Sequence, residues 1–302
     1  MSEQRNVITP QLLASIYTGF KTIFNKTTMT YTPKWPKIAT LTTSKTASEV
    51  YTWLSAFPRM REWVGDKVIK KLSVEGYRIV NKNFEETIRV PRNSIEDDQY
   101  GVFSPMVEQF SLEAARLPDD QVFAKLRDGF TELCFDEKPF FSADHIGKGK
   151  AKLSNMSNAP LSAESYGAAR VAMMSQTDAE DKPLNIVPDL LVVAPGGEAA
   201  AKLILGSEYS APGVLNPYYQ TAEVMVSTEL AAMPKAWFLL CTSQAIKPLI
   251  WQERKKPALT QQVDPSSDSV FQRGEYTYSV EARGGAGYGF WQLAYGSKGE
   301  GA

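Results

Sequence analysis

An α+β fold is predicted for this chain of 302 residues, on three observations. Apolar and polar residues alternate with a period of two over residues 67–74 and 84–90, which reads as strands. From Met106 through Phe110, Ala114 and Leu117 to Leu126 the apolar residues instead follow a helical stripe. Alternation then returns near the C-terminus, where Leu249, Trp251 and Glu253 alternate with Ile250 and Gln252, and Tyr276, Tyr278 and Val280 with Thr277 and Ser279. Strands and helices that come in separate runs predict α+β rather than a repeating βαβ order.

Composition narrows the class. At 33.5 kDa the chain can bury a sizeable core in two lobes. Lys+Arg 33 against Asp+Glu 34 leaves a net charge of -1, so the overall basic excess of a nucleic-acid binder is missing. Cys134 and Cys241 are too few for a disulfide framework, and no close metal-ligand spacing surrounds them; a reducing compartment of synthesis is expected. The first twenty residues lack the apolar stretch of a signal peptide. The longest apolar runs, 190–195 and 236–241, are far too short to span a bilayer.

In chain order, residues 8–24 predict an amphipathic helix with Leu12, Ile16, Phe20 and Phe24 on one face. The Thr- and Pro-rich stretch from Thr27 to Thr46 favours extended chain, either a tail or an arm lying on a neighbour. Residues 49–92 combine the two strand patterns with Trp53, Phe57 and Trp63; a lone ribbon is marginal in water and needs a surface to lie on. Residues 104–130 predict a long helix, capped at Ser104-Pro105, interrupted at Pro118, recapped at Asp119 or Asp120 and closed by Gly129. Residues 138–160 read as a loop, and 162–174 as a helix. A buried strand at 189–194 runs through Pro195-Gly196-Gly197 into a helix at 198–205. Near the end, 283–289 reads as a Gly-rich turn and 290–295 as an aromatic strand.

Charge is unevenly placed. Residues 59–92 hold nine basic and five acidic side chains, a net +4, whereas 94–137 hold three basic and eleven acidic, a net −8. Surfaces of opposite sign guide register and association more than raw affinity. Two solvated faces with no mutual contact explain the same numbers.

Catalytic and metal chemistry find little support. His145 is the sole histidine, in a Gly/Lys-rich loop beside Asp144, and is expected to be an exposed loop residue rather than part of a triad. A zinc site would have to draw on Cys134, Cys241, His145 and carboxylates with no supporting spacing. The Gly-Gly turn at 196–197 matches neither nucleotide-binding pattern, and Glu198 opposes an anion there. Glu96-Asp97-Asp98 lacks EF-hand spacing and suits the start of a helix. No catalytic residue, cofactor or metal is expected.

Three segments carry a family resemblance: 52–105, 125–145, and the pair 246–259 with 282–299. Their elements W-L-x-x-F-P, E-W-V-G, N-K-x-F-E, E-D-D, Q-E-R-K-K-P and G-Y-G-F-W-Q are specific in combination and colinear over most of the chain. Through them the chain resembles the Mu-like bacteriophage major head subunits. That resemblance implies the Hong Kong 97-type phage capsid fold, with an N-terminal arm at 1–48 and an extended loop at 49–92. A peripheral domain would take 93–160 and 241–302 around a spine helix at 104–130, and an axial domain 161–240. It implies a non-enzymatic major capsid protein that self-assembles through pentamers and hexamers into an icosahedral head. The shell would enclose double-stranded DNA without sequence-specific binding, away from any membrane. Further implied partners are a scaffolding protein, a portal and a decoration protein, with assembly in the host bacterial cytoplasm and residence in the virion. An encapsulin-like particle of the same fold is the alternative. In such a fold the extended loop crosses the adjacent subunit. Trp53, Phe57, Trp63 and Phe84 are then expected as contact anchors, and Lys67, Lys70 and Lys71 as cations facing Asp97, Asp98, Glu108 and Glu113 of the neighbour.

Overall fold

The computed structural model describes residues 8–55, 76–97, 100–146, 152–177 and 182–301. The side chain of Trp53, together with Phe57, Trp63, Lys67, Lys70, Lys71 and Asp98, lies outside the described residues, as does the alternating stretch 67–74.

Helix α1 (Pro10–Thr30) starts at Thr9, whose hydroxyl accepts the Leu12 N–H at 3.2 Å. It runs six residues past the expected end. Thr28 and Thr30 hydroxyls bond back to the carbonyls of Phe24 and Lys26, which satisfies these threonines inside a helix. A short helix α2 (Trp35–Ile38) leads into β1 (Ala39–Thr43), β2 (Ser48–Tyr51), β3 (Tyr77–Val80) and β4 (Lys82–Pro91). After α3 (Arg92–Glu96) comes the long α4 (Ser104–Asp128), the predicted 25-residue helix. Then follow β5 (His145–Ile146), β6 (Lys152–Leu153), β7 (Met156–Ser157) and α5 (Ala163–Met174), the last capped reciprocally by Ser162 and Ser165. Next are β8 (Leu190–Val193), α6 (Glu198–Gly206), the hairpin β9 (Tyr209–Ala211) and β10 (Val214–Leu215), β11 (Glu223–Val226) and β12 (Trp237–Leu240). The chain closes with β13 (Leu249–Gln262), α7 (Asp268–Arg273), β14 (Glu275–Tyr288) and β15 (Ala294–Ser297).

Two sheets organise these elements. The four-stranded sheet has the order β1-β13-β14-β4; β1 joins β13 in parallel and the other pairs are antiparallel. Its register slips around Pro257, where β13 lacks a donor. The five-stranded sheet has the order β11-β8-β12-β15-β7. Every residue of β8 and β12 is buried, because α5 and α6 cover one face and the end of α4 with Phe140 and Phe141 covers the other. Two covered faces explain why these strands read as unbroken apolar runs.

Several expectations are corrected. The apolar face of α1 does not reach outward: Leu13, Ile16, Phe20 and Phe24 are buried against Val107 and Phe110 of α4 and Tyr278 of β14 in the same chain. Roughly 2 kcal/mol for each such side chain holds the helix there. Pro118 does not divide α4, which continues through it, and Asp119 starts no new helix. The segment 49–92 is divided: β4 is an integral strand of the four-stranded sheet, hydrogen-bonded to β14 of its own chain from Lys82 to Pro91. Residues 283–288 form strand rather than turn, and none of their glycines has a positive φ. Residues 291–293 are a single 3-10 turn before β15, and β15 returns the C-terminal part of the chain to the five-stranded sheet built mostly from residues 190–240. His145 is fully buried.

A candidate assembly surface beside the long helix

A two-stranded stem packs on the four-stranded sheet. β2 and β3 pair antiparallel from Ser48↔Val80 to Tyr51↔Tyr77, so the chain departs at Tyr51 and returns at Tyr77. β3 lies on β14, and glycine makes that approach possible. A Cβ at Gly285 would meet the Val80 carbonyl at 2.5 Å, and one at Gly287 the Ile79 side chain at 2.4 Å. These glycines therefore serve a backbone contact, which their cluster in the sequence had disguised as a turn.

A buried polar network fixes the stem. Tyr51 donates to Gln252 Oε1 at 2.8 Å, Gln252 Nε2 donates to Asn81 Oδ1 at 2.7 Å, and Asn81 Nδ2 donates to Ser44 Oγ at 2.7 Å and to the Thr46 carbonyl at 2.9 Å. Glu49 gathers Ser44, Lys45 and Thr46 around one carboxylate oxygen. Those hydrogen bonds hold its carboxyl below the usual range. Each member satisfies the next, which fixes one orientation.

An acidic groove of about 210 Å³ runs between β4 and α4. Glu85, Glu86, Glu113 and Asp120 surround an apolar floor of Phe110, Ala114, Leu117 and Val280. Residues 110, 113, 117 and 120 recur at helical spacing and so share a face of α4. Burial, and then the charges of Glu229, Glu113 and Asp119, push the Asp120 carboxyl above its ordinary value. Arg116 sits 3.3 Å from Glu113 and offsets only part of this crowding. β4 is also an edge strand, with no partner on its outer side among the described residues.

Of the acidic candidates among the described residues, only Glu113 lines this groove. Asp97 is exposed at the end of α3, and Glu108 is exposed beside a separate cavity with Thr27, Thr30 and Tyr31 of α1. Phe84 is half-buried on β4 opposite Ala282. Sequence reasoning missed Glu85, Glu86 and Asp120. The first two were counted with the basic ribbon, although they stand in the groove wall; between the two stem strands, residues 56–75 hold five basic and three acidic side chains. Asp120 could have been found from its i, i+7 relation to Glu113. A second cluster also departs from expectation: ligand atoms of Cys134, Asp136 and His145 lie within 4.8 Å of one another despite their spacing in sequence.

A long helix bracing a sheet, with a two-stranded stem packed on that sheet, is an arrangement shared with subunits of solved shells. The procapsid of bacteriophage JBD30 is 32% identical with a TM-score of 0.61, over 96% of this chain and 76% of that one. A virus-like particle from Pyrococcus furiosus, 11% identical, shares the fold alone at a TM-score of 0.54, over 93% and 98% of the two chains. The architecture is the Hong Kong 97-type phage capsid fold.

Sequence matches then fix the family. Residues 13–160, 146–230 and 226–301 match the Mu-like prophage major head subunit gpT. The Mu-like prophage FluMu major head subunit of Haemophilus influenzae is 30% identical over 293 residues, 97% of this chain and 75% of the relative. The major capsid protein of Escherichia phage Mu is 28% identical over 294 residues, 97% and 76% of the two chains. This chain belongs to the Mu-like prophage major head subunit gpT family.

Proposed function

We propose that this chain is the major capsid protein of a Mu-like phage, assembling through pentamers and hexamers into an icosahedral head around double-stranded DNA. The observation that carries the mode of assembly is the pairing, in one subunit, of a rigid hairpin stem with an acidic groove. Residues 52–76 extend from the stem as the extended loop. Their Lys67, Lys70 and Lys71 meet Glu85, Glu86, Glu113 and Asp120 of the adjacent copy, while Trp53, Phe57 and Trp63 seek apolar surface such as the floor beneath those carboxylates. Phe84, Asp97, Asp98 and Glu108 are proposed as further contacts of the same interface. Repetition around each ring makes modest contacts durable.

In this reading the four-stranded sheet with α1 and α4 forms the peripheral domain, and the five-stranded sheet with α5 and α6 the axial domain. The net charge of -1 suits a container that encloses DNA without sequence-specific binding. The subunit is not an enzyme. A scaffolding protein, a portal and a decoration protein complete the head, which assembles in the host cytoplasm. No helix among the described residues is long and apolar enough to cross a membrane.

Charge exchange tests the contact. Full-length subunit carrying Lys67→Glu, Lys70→Glu and Lys71→Glu, and a second carrying Glu113→Lys and Asp120→Lys, should each remain folded yet fail to give closed shells by electron microscopy. Combining both sets in one chain should restore shells. Normal shells from either set alone defeat the proposed contact.

A further inference from the structure

Cys134, Asp136 and His145 meet beneath Trp291, and none of them lines the acidic groove. The chain turns tightly after α4: the Cys134 N–H donates to the Lys138 carbonyl at 2.8 Å, and Glu137 adopts a φ of 60°. Within that turn the Cys134 thiol donates to Asp136 Oδ1 at 3.0 Å. His145 arrives from β5, its ring stacked on Trp291 at 3.9 Å with an interplanar angle of 2°. Its side chain is fully buried and Cys134 is 5% exposed, whereas the Asp136 side chain is 22% exposed, so the cluster opens toward solvent on the Asp136 side.

Both ring nitrogens of His145 face oxygen atoms. His145 Nδ1 lies 2.6 Å from Asp136 Oδ2, and Nε2 lies 3.3 Å from the Phe140 carbonyl oxygen. Both oxygens are acceptors, while a neutral ring carries one proton. One nitrogen lone pair would therefore face an oxygen. Nδ1, the carboxylate and the sulfur converge, with one ligand atom of each within 4.8 Å of the others, a spacing that a single cation can bridge. A cation leaves Nε2–H to donate to the Phe140 carbonyl, the backbone contact that typically orients a metal-bound histidine.

A nucleophilic site does not fit. Asp136 stands between the thiol and the imidazole, and burial, followed by Asp136, pushes the Cys134 thiol up rather than toward thiolate.

We infer that Cys134 Sγ, Asp136 and His145 Nδ1 bind one Zn²⁺, with water as the fourth ligand on the open side. Sulfur, nitrogen and carboxylate oxygen together suit zinc among the common divalent ions. Binding displaces the thiol proton and any proton on Nδ1 to solvent. The ion ties the turn that follows α4 to β5 and to Trp291, a structural role independent of how subunits meet.

The test uses unassembled full-length subunit, stripped with a chelator and titrated with Zn²⁺ and, separately, Co²⁺. Expected are saturable uptake of one ion per chain, proton release, and a thiolate-to-cobalt charge-transfer band. Cys134→Ser, which keeps a donor toward Asp136, and His145→Gln should each weaken zinc binding at least about tenfold, the scale on which even outer-shell changes act. Absence of saturable uptake, unchanged affinity in a folded variant, or a cobalt spectrum without the thiolate band overturns the inference. The spectrum of the unaltered chain decides the matter if a variant does not fold.

Discussion

Asp119 shows how one side chain can serve a distant element. It lies within α4, yet its carboxylate accepts the N–H groups of Lys34 at 3.0 Å and Trp35 at 2.6 Å and the hydroxyl of Tyr31. It therefore caps α2 from outside, and burial still keeps its carboxyl above the ordinary range despite these donors. Asp119→Ala strands two backbone donors in a buried place. The expected loss is roughly 3 kcal/mol of subunit stability, measured by urea unfolding. Gly285 illustrates the opposite constraint, a side chain that must be absent. Gly285→Ala drives a methyl against the Val80 carbonyl and should cost about 1–3 kcal/mol in the same assay. Neither role was legible in sequence. Asp119 sits beside a proline that looked like a break, and the glycines in 283–289 carry no local sign of the strand that crosses them.

At the scale of elements, periodicity served well wherever one face of an element meets one core. The stripe of α4, the alternation of β4 and β14, and the continuous runs of β8 and β12 were all readable, because burial imposes those periods directly. Partnership between elements was not. Whether β4 joined its own sheet or a free ribbon depends on contacts with residues 275–284, nearly two hundred positions away. The groove on α4 yields a prediction with a sign. Folding raises the Asp120 carboxyl above the ordinary aspartate value of 3.8, so its neutral form is favoured in the folded chain. That contribution is fully present below the unfolded value and is lost as pH rises through the folded one. Asp120→Asn should therefore stabilise the isolated subunit at neutral pH, by about 0.5 kcal/mol given solvent screening, with the gain vanishing below about pH 4. The same change should reduce shell yield. Thermal unfolding across pH, alongside particle counts by microscopy, checks both halves.

For the whole molecule, the family was legible from scattered motifs, whereas the make-up of the acidic groove was not. The charge contrast between 59–92 and 94–137 was visible, but the structure moves Glu85 and Glu86 from the basic side of that ledger into the acidic wall. The two halves of the chain are also interlocked rather than sequential. β15 inserts beside β12, and α1 seats Phe20 edge-on against Tyr278 at 5.0 Å. Deleting residues 1–30 should therefore bare Val107, Phe110 and Tyr278 and yield insoluble subunit instead of smaller shells, read out by sedimentation.

The seating of β3 on the glycines of β14 has a mechanical consequence. With no room for a Cβ between them, β3 cannot pivot on β14, so the β2–β3 stem moves as one body with the four-stranded sheet.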